Sequence, residues 1–318
     1  MSFRILGTGM YVPEKVVTND DLSAIVDTND EWITQRVGVK QRHISVNETA
    51  ADMATAAAKQ ALAAANVSAE ELDLILVASI SSETTSPATA CLVQRNIGAT
   101  CMAFDISAAC AGFLFALENA AMYFAAGKAK KILVIGAERM SRLVNWKERS
   151  TCVIFGDGAG AAVLGEGSAF ADSVFTVTGN DEVICVPNYM GESPFWQAEP
   201  TQPFVAMQGQ ETFKFAVKSM VRDVNTLLER NGLTLDDIAC IVPHQANSRI
   251  IELASRKLGL SLDRFVMNIA EYGNTSAASV AIALNEAVRS GRIKQGDRVI
   301  LCAFGGGLSS AAILLNWE

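Results

Sequence analysis

The segment LAAANVSAEEL at residues 62–72 is laid out like LERNGLTLDDI at residues 228–238, 166 residues later. Each segment is typical of a helix end, a turn and the approach to an apolar strand. Further along, FLFALENA and VAIALNEA are separated by 167 residues, and so are the strand-like KILVIGAE and RVILCAFG. Elements that keep their spacing to within one residue indicate an internally duplicated chain.

The duplication predicts the fold class. Each copy has the order helix, strand, strand, helix, strand, strand. The segments LDLILVAS, KILVIGAE, IACIVPH and RVILCAF are continuous apolar runs, as expected when helices cover both faces of a sheet. We therefore predict an α/β fold of two similar α/β halves related by a pseudo-twofold axis, residues 1–170 and 171–318. Residues 165–210 have no counterpart of equal length, and ESPFWQAEPTQP at 192–203 indicates an irregular surface loop.

Composition excludes several classes of function. The chain has 318 residues, 50% of them apolar, and a net charge of -8, so it gives no support to general nucleic-acid or anionic-membrane binding. The N-terminus shows no secretion signal. The most apolar stretch, residues 106–127, is interrupted by Glu118 and favours a buried central helix over a membrane span. We expect a cytoplasmic protein that binds neither nucleic acid nor membrane.

Cys110 is the candidate nucleophile. The chain has seven cysteines and no CxxC pair, so we expect neither a disulfide framework nor a bound metal. Cys110 follows a predicted strand and begins an apolar helix, where the helix dipole favours a thiolate and lowers the pKa of the thiol. The 167-residue offset places it opposite Ala277, at the start of the equivalent helix. Taken alone, it could equally be a small buried apolar residue.

Other candidates are ambiguous taken singly. His244 ends the strand IACIVPH, where it could serve chemistry or simply be hydrogen-bonded. Asn274, before the second central helix, is most often a turn or cap residue. The glycines at 305–307 could admit a ligand to the backbone or form a tight turn. The glycines of 156–160 loosely imitate a dinucleotide fingerprint, but they lead into a strand-like segment and not into a helix, which argues against that site.

Taken together, DISAACAGF around Cys110, VPHQAN around His244 and GNTSAAS around Asn274 resemble the signature blocks of the β-ketoacyl-acyl carrier protein synthase III family. FGDGAGA and AFGGG match as well, and the resemblance runs over nearly the whole chain. It implies a thiolase-like fold, a homodimer and no cofactor. The implied activity is the decarboxylative condensation of an acyl-coenzyme A primer with malonyl-acyl carrier protein, which initiates fatty acid biosynthesis.

The resemblance also implies a role for each matching residue. Cys110 would carry the primer as a thioester, and the backbone N–H groups of Cys110 and Gly306 would bind the oxyanion. His244 and Asn274 would donate hydrogen bonds to the enolate formed when malonyl loses carbon dioxide. The positions that match coenzyme A contacts are Trp32, Arg36 and Arg149. The positions that match the acyl pocket and its gate are Ser86, Pro87 and Phe304.

The carrier protein is typically acidic, which calls for a local basic patch on this acidic chain. A helix predicted over 211–230 has one apolar face and a separate stripe with Lys214, Lys218 and Arg222. Charged stripes of this kind are more often simply solvated. The positions that match carrier docking are Lys214, Arg249, Arg256 and Lys257.

Two departures and four alternatives stay open. Val37 stands where many relatives have Thr, and Ser309-Ser310-Ala311 replaces a more usual Thr-Trp-Gly, so we infer no primer length. A relative making a polyketide, quinolone or hydroxymethylglutaryl product would share the blocks. A biosynthetic thiolase would need a second Cys near the C-terminal glycines, where Leu308 and Ser309 stand. A Cys-His thioesterase would use His244 as a base, and a carrier-binding module would form no acyl-enzyme.

Overall fold

The computed structural model describes residues 2–188, 194–195 and 204–318. Its strands, in chain order, are β1 (Ser2–Tyr11), β2 (Val16–Thr18), β3 (Gln41–His43), β4 (Leu74–Ala78), β5 (Met102–Ile106), β6 (Lys131–Arg139), β7 (Asp157–Gly167), β8 (Phe170–Asn180), β9 (Ile184–Cys185), β10 (Ala206–Met207), β11 (Cys240–Pro243), β12 (Arg298–Gly305) and β13 (Gly307–Asn316). Its α-helices are α1 (Asn19–Ser23), α2 (Asp30–Arg36), α3 (Ala50–Ala65), α4 (Thr89–Ile97), α5 (Gly112–Ala125), α6 (Arg149–Cys152), α7 (Gly209–Asn231), α8 (Ser248–Leu258), α9 (Ile269–Tyr272) and α10 (Ala278–Arg289).

Two sheets repeat one plan. The first has the order β1-β7-β6-β4-β5, and the second has the order β8-β13-β12-β11 when read from its corresponding edge. In both, one central strand pairs in parallel on one side (β6 with β4, β12 with β11) and antiparallel on the other (β6 with β7, β12 with β13), and the edge strand beyond (β1, β8) is antiparallel to its neighbour. β5 extends the parallel side of the first sheet. Phe265 bridges Ile241 of β11 in parallel, at the place that β5 holds beside β4. The prediction of two similar α/β halves is confirmed.

The repeat reaches further than the sequence indicated. Residues 165–210 were expected to have no counterpart of equal length, and within them β8 at residues 170–180 occupies the place of β1, which the sequence analysis did not identify. The strand was missed because one of its faces is largely exposed, which breaks the continuous apolar run seen in the central strands. The predicted boundary between residues 170 and 171 falls at the start of β8 and stays a prediction. The loop predicted at 192–203 lies almost entirely outside the described residues.

The central helices α5 and α10 lie between the sheets. Buried residues of both helices and both sheets form one apolar cluster, which includes Phe113, Leu117, Val280 and Leu284. Small residues let these helices approach the first sheet closely: a Cβ on Gly136 would lie 2.3 Å from the carbonyl oxygen of Ala277. The buried helix expected within residues 106–127 is therefore confirmed. None of the helices in the described ranges combines the length and apolar character needed to span a bilayer.

Outer helices cover the remaining face of each sheet. The Ala-rich α3 begins with a capping box formed by Thr49 and Asp52, and it packs on the first sheet. On the second sheet, α7 buries Val217, Met220 and Val224 against α8. Each such apolar side chain contributes roughly 1.5–3 kcal/mol on burial, so α7 is held firmly and its polar face is left at the surface.

Candidate active site

Cys110 lies at a sharp strand-to-helix turn. β5 ends at Ile106, a single 3₁₀ turn covers residues 109–111, and α5 follows at once. Ala109 has a φ of 46°, which L-residues rarely adopt, and so has Ser276 with a φ of 50°. These two residues are 167 positions apart, so the same backbone turn precedes both central helices. The duplication therefore brings Cys110 and the 274–276 segment into equivalent positions, as the sequence indicated.

The electrostatics of Cys110 differ from the expectation. The residue is partly accessible, but the surrounding protein removes most water from the sulfur. This burial raises the pKa of the thiol to about 11, the nearby Glu138 carboxylate adds to the rise, and a hydrogen bond with the Ser276 side chain opposes it. The prediction of a lowered pKa at the helix start is therefore wrong for the unliganded protein. The thiol is protonated at neutral pH and must lose its proton during the reaction.

The C-terminal glycines pack directly against this turn. A Cβ on Gly305 would lie 2.9 Å from the backbone nitrogen and from the Cβ of Cys110, so a side chain there would displace the nucleophile. A Cβ on Gly306 would lie 3.7 Å from that of Ala109. The backbone of 305–306 thus lies beside Cys110, where two N–H groups can converge on one oxygen. The oxyanion role of Cys110 and Gly306 stays a prediction that this geometry supports.

His244 is held as a neutral hydrogen-bond donor. It follows β11, its Nδ1 lies 2.5 Å from Ser279 Oγ, and its ring meets Phe304 edge-on at 5.2 Å. Ser279 Oγ also accepts the N–H of Gln245 at 3.3 Å. In the tautomer in which Ser279 donates to Nδ1, the ring proton is on Nε2 and the imidazole can donate a hydrogen bond from there. Burial lowers the pKa of His244 to about 3, which keeps the imidazole neutral.

Asn274 is held in place by hydrogen bonds of its backbone and of its side-chain oxygen. Its N–H donates to Ile154 O at 2.9 Å, and its carbonyl oxygen accepts from Gly156 N at 3.1 Å. Its side-chain Oδ1 accepts the N–H of Ser276 at 2.8 Å. Since the oxygen of the amide is occupied, the Nδ2 group is the end left to act as a donor. The side chains of His244 and Asn274 therefore both present N–H groups and no charge.

The candidate coenzyme A residues gather on α2, α6 and the adjoining surface. The guanidinium of Arg149 lies 4.6 Å from the ring centroid of Trp32 and donates to Asp27 O at 2.8 Å. Arg36 is exposed and lines a groove of about 380 Å³. The other residues of this groove are Gly209, Gln210, Phe213, Lys214, Asn247 and Arg249. The structure thus places Trp32 against Arg149, and Arg36 within a groove of positive charge.

Of the candidate acyl-pocket residues, Phe304 is the one that contacts another candidate catalytic residue. It is buried, and its ring packs against His244. Ser86 and Pro87 are exposed in the loop between β4 and α4, where Thr84 Oγ1 donates to Pro87 O at 2.8 Å. A role for this loop in an acyl pocket stays a prediction.

The candidate docking residues are brought together in part. Lys214 and Lys257 line a groove between α7 and α8, which we call the α7–α8 groove, of about 510 Å³. Its other residues are Phe213, Val217, Lys218, Val221, Arg222 and Leu253. Arg249 lines the adjoining groove with Lys214, whereas Arg256 is exposed and lines neither.

The predicted stripe on α7 is exposed, since Lys214, Lys218 and Arg222 all lie at the surface, but two of the three are paired. Arg222 donates to Ser310 Oγ and to Asp223 Oδ1, both at 2.7 Å, so it is only partly free. Lys218 lines the α7–α8 groove, and Lys214 is paired with Glu211 at 2.8 Å. Three basic residues and an apolar floor remain available at this groove.

Three polar residues at the site were not identified from the sequence. Ser276 and Ser279 orient Asn274 and His244, and buried Glu138 accepts a hydrogen bond from Ser276 Oγ at 3.1 Å. The two serines lie within GNTSAAS, so their closeness to Asn274 in the sequence could have indicated a role at the site. Nothing in the sequence indicated such a role for Glu138, because an acidic residue at the end of a strand is usually solvated.

Comparison with known proteins agrees with this geometry over the whole chain. The profile of 3-oxoacyl-[acyl-carrier-protein] synthase III matches residues 104–181, and that of its C-terminal region matches residues 228–317. The beta-ketoacyl-[acyl-carrier-protein] synthase III of Clostridium acetobutylicum is 45% identical over 99% of this chain and 99% of its own length.

Solved structures show the same likeness. The crystal structure of 3-oxoacyl-[acyl-carrier-protein] synthase III from Aquifex aeolicus has a TM-score of 0.93 and 45% identity, covering 99% of this chain and 100% of that one. The priming β-ketosynthase of the R1128 polyketide pathway has a TM-score of 0.92 and 35% identity, covering 100% of this chain and 96% of its own. With its duplicated thiolase-like halves and its Cys, His and Asn at the junction between them, the chain belongs to the β-ketoacyl-acyl carrier protein synthase III family.

Proposed function

We propose that this enzyme condenses an acyl-coenzyme A primer with malonyl-acyl carrier protein, releasing carbon dioxide and initiating fatty acid synthesis. The observation that carries the proposal is the pairing of two neutral N–H donors with a nucleophile. The hydrogen bond at Oδ1 leaves Asn274 Nδ2 as a donor, and His244 donates from Nε2 when Ser279 donates to its Nδ1. Such a pair stabilises a developing enolate oxygen without having to accept a proton.

The first half-reaction transfers the primer. The Cys110 sulfur attacks the thioester carbonyl carbon, and the backbone N–H groups of Cys110 and Gly306 hold the oxyanion. The new carbon–sulfur bond forms as the bond to coenzyme A breaks, and coenzyme A leaves as a thiol. Trp32 and Arg149 would hold the adenine by stacking, and Arg36 would contact phosphate.

The second half-reaction consumes the malonyl group. Loss of carbon dioxide leaves an enolate whose oxygen is bound by His244 and Asn274. Its carbon attacks the acyl-Cys110 carbonyl, and the Cys110 sulfur leaves, which regenerates the free enzyme. No resident cofactor takes part, because Cys110 carries the acyl group and decarboxylation supplies the carbanion.

The carrier protein would dock at the α7–α8 groove. The groove has an apolar floor with Val217 and Leu253, and Lys214, Lys218 and Lys257 lie at its rim. This arrangement suits an acidic helical partner, because a positive patch on an otherwise acidic enzyme steers that partner to one face. Arg249 adjoins the groove and lies 5.9 Å from the ring centroid of Phe213.

A homodimer is part of the proposal. β5 is the edge strand of the first sheet among the described residues, and its Met102 is 50% exposed. An uncovered edge strand with apolar side chains is a ready surface for pairing with a second copy. The exposed Ser86-Pro87 loop adjoins this edge through Thr89, whose N–H donates to Asp105 Oδ2 at 2.7 Å. The expected cytoplasmic location belongs to the same proposal.

The alternatives fit the geometry less well. A Cys-His thioesterase needs His244 as a base, but burial lowers its pKa to about 3, which makes it a weak base. The R1128 priming β-ketosynthase is 35% identical, against 45% for the synthases III of Clostridium acetobutylicum and Aquifex aeolicus.

The proposal is tested by product analysis. The purified protein is given acyl-coenzyme A together with malonyl-acyl carrier protein, and carbon dioxide and β-ketoacyl-acyl carrier protein are measured. We expect one carbon dioxide for each β-ketoacyl product. Release of free fatty acid in the absence of malonyl-acyl carrier protein would identify a thioesterase instead.

A further inference from the structure

Glu138 is a buried carboxyl group that the half-reactions described above do not use. It lies near the end of β6 and is fully buried, and no basic residue in the described ranges forms an ion pair with it. A charge buried without a cationic partner is costly, so the group is held by hydrogen bonds instead. Its donors are Ser79 Oγ at 3.3 Å, Ile80 N at 3.2 Å, Ser276 Oγ at 3.1 Å, Ser81 Oγ and Ala277 N.

Ser276 connects this carboxyl to the nucleophile. Its side chain is hydrogen-bonded both to Glu138 Oε1 and to Cys110, while its N–H orients Asn274. A hydroxyl can accept one proton while it donates its own. Ser276 therefore lies between the Cys110 thiol and the Glu138 carboxylate and can relay a proton from one to the other.

We propose that Glu138 receives the proton of Cys110 through Ser276 during transfer of the primer. The thiol proton moves to Ser276 Oγ as the proton of Ser276 moves to Glu138. The thiolate then forms its bond to the acyl carbon, and the carbon–sulfur bond of coenzyme A breaks. The proton returns from Glu138 through Ser276 to the departing coenzyme A thiolate, so the carboxylate is regenerated. The inference rests on the proposed function, of which it concerns the first half-reaction alone.

Charge conservation supports this route. The buried site holds one negative charge before the transfer, on Glu138, and one after it, on Cys110, so no second charge is introduced at low dielectric. Burial raises the pKa of Glu138 to about 7, whereas that of His244 is lowered to about 3. The carboxylate is therefore the stronger base for a thiol. The strand pairing of β6 with β7 places Arg139 and Asp157 nearby, but they interact with each other and with other partners.

Two variants each remove one group of the proposed proton relay and leave the other groups in place. Glu138→Gln keeps an oxygen acceptor of the same size but takes no proton. Ser276→Gly removes the hydroxyl, keeps the N–H that orients Asn274, and suits the φ of 50° at this position. We expect the rate of Cys110 acylation by acyl-coenzyme A to fall on the order of 10²–10⁴ in each variant. Ser255→Ala, which removes a buried hydroxyl bonded to Leu260 O, is the matched control and should acylate normally.

The pH profile separates proton transfer from structural support. In the unmodified enzyme, the acylation rate should rise to about pH 7 and then level off, as Glu138 ionises. In Glu138→Gln it should keep rising towards the pKa of the thiol itself. Acylation at the unmodified rate, or a slower rate with an unchanged profile, would overturn the inference. Malonyl decarboxylation in Glu138→Gln should stay within a few-fold, and its loss would likewise reduce Glu138 to a structural residue. Failure of the unmodified enzyme to condense would refute the proposed function instead.

Discussion

The substitution Asn274→Asp changes one functional group and almost no volume. In the structure, Asn274 Oδ1 accepts the N–H of Ser276 at 2.8 Å, and a carboxylate oxygen can do the same. The Nδ2 donor, however, is replaced by a second oxygen, which is an acceptor and carries negative charge. The variant therefore removes one of the two proposed enolate donors while it keeps the hydrogen bond that fixes the loop.

The size of the effect follows from the role assigned to the donor. Loss of one preorganised oxyanion donor costs on the order of 10²–10³ in rate, or about 2.7–4 kcal/mol. Repulsion between the aspartate and the enolate acts in the same direction, so we expect at least 10³-fold slower decarboxylation. Acylation of Cys110 by acyl-coenzyme A should stay within about threefold, since it uses the backbone donors of Cys110 and Gly306.

The assay follows the two half-reactions separately. Acylation is read as the mass gain of the protein in a rapid-quench series with acyl-coenzyme A, and decarboxylation as carbon dioxide released from malonyl-acyl carrier protein. Asn274→Ala is the companion variant: it lacks the donor and the charge, so it should lose decarboxylation by about 10²–10³ without the added repulsion. Decarboxylation at near-normal rate in Asn274→Asp, or equal loss of both half-reactions in a folded variant, would refute the division of labour.

Three further predictions address the nucleophile, the docking surface and His244. Gly305→Ala should slow acylation by ~10², because its Cβ would lie 2.9 Å from Cys110; normal acylation kinetics would contradict the packing described. Lys257→Glu should raise the KM for malonyl-acyl carrier protein roughly three- to tenfold at low salt and less at high salt. Arg256→Glu is the control, because Arg256 lies outside the grooves, and it should change this KM little. Equal effects of the two variants would count against docking at the α7–α8 groove. Because the pKa of His244 is lowered to about 3 from 6.5, the folded state resists protonation of this ring. Stability should therefore fall as pH drops from 6.5 towards 3, and chemical denaturation should show a smaller fall in His244→Gln; identical pH dependence would contradict the burial of this ring.

Much of the fold could be predicted from the sequence because strands buried on both faces appear as continuous apolar segments. These segments, together with the constant offset between repeated elements, predicted the two halves and the equivalent starts of the two central helices. β8 was missed because a largely exposed face gives no continuous apolar run. The candidate triad was found through three motif blocks, which specify residue types but not the direction in which a side chain points.

The remaining features depend on contacts between distant segments. Glu138 and Ser276 are 138 residues apart, and no local pattern predicts their hydrogen bond. The pKa of Cys110 is also set by the whole environment: the helix start favours a thiolate, but burial of the sulfur outweighs it. The sequence likewise does not predict which basic residues line the docking surface. Arg256 and Lys257 are adjacent in the sequence, yet only Lys257 lines the α7–α8 groove.

The central claim is that Cys110 carries the primer and passes it to the malonyl-derived carbanion. It is tested most directly by the mass of the Cys110 peptide, first after incubation with acyl-coenzyme A and again after addition of malonyl-acyl carrier protein. We expect a gain equal to the acyl group, then its complete loss as β-ketoacyl-acyl carrier protein appears. Acylation at another cysteine, or loss of the group as free acid with no β-keto product, would contradict it.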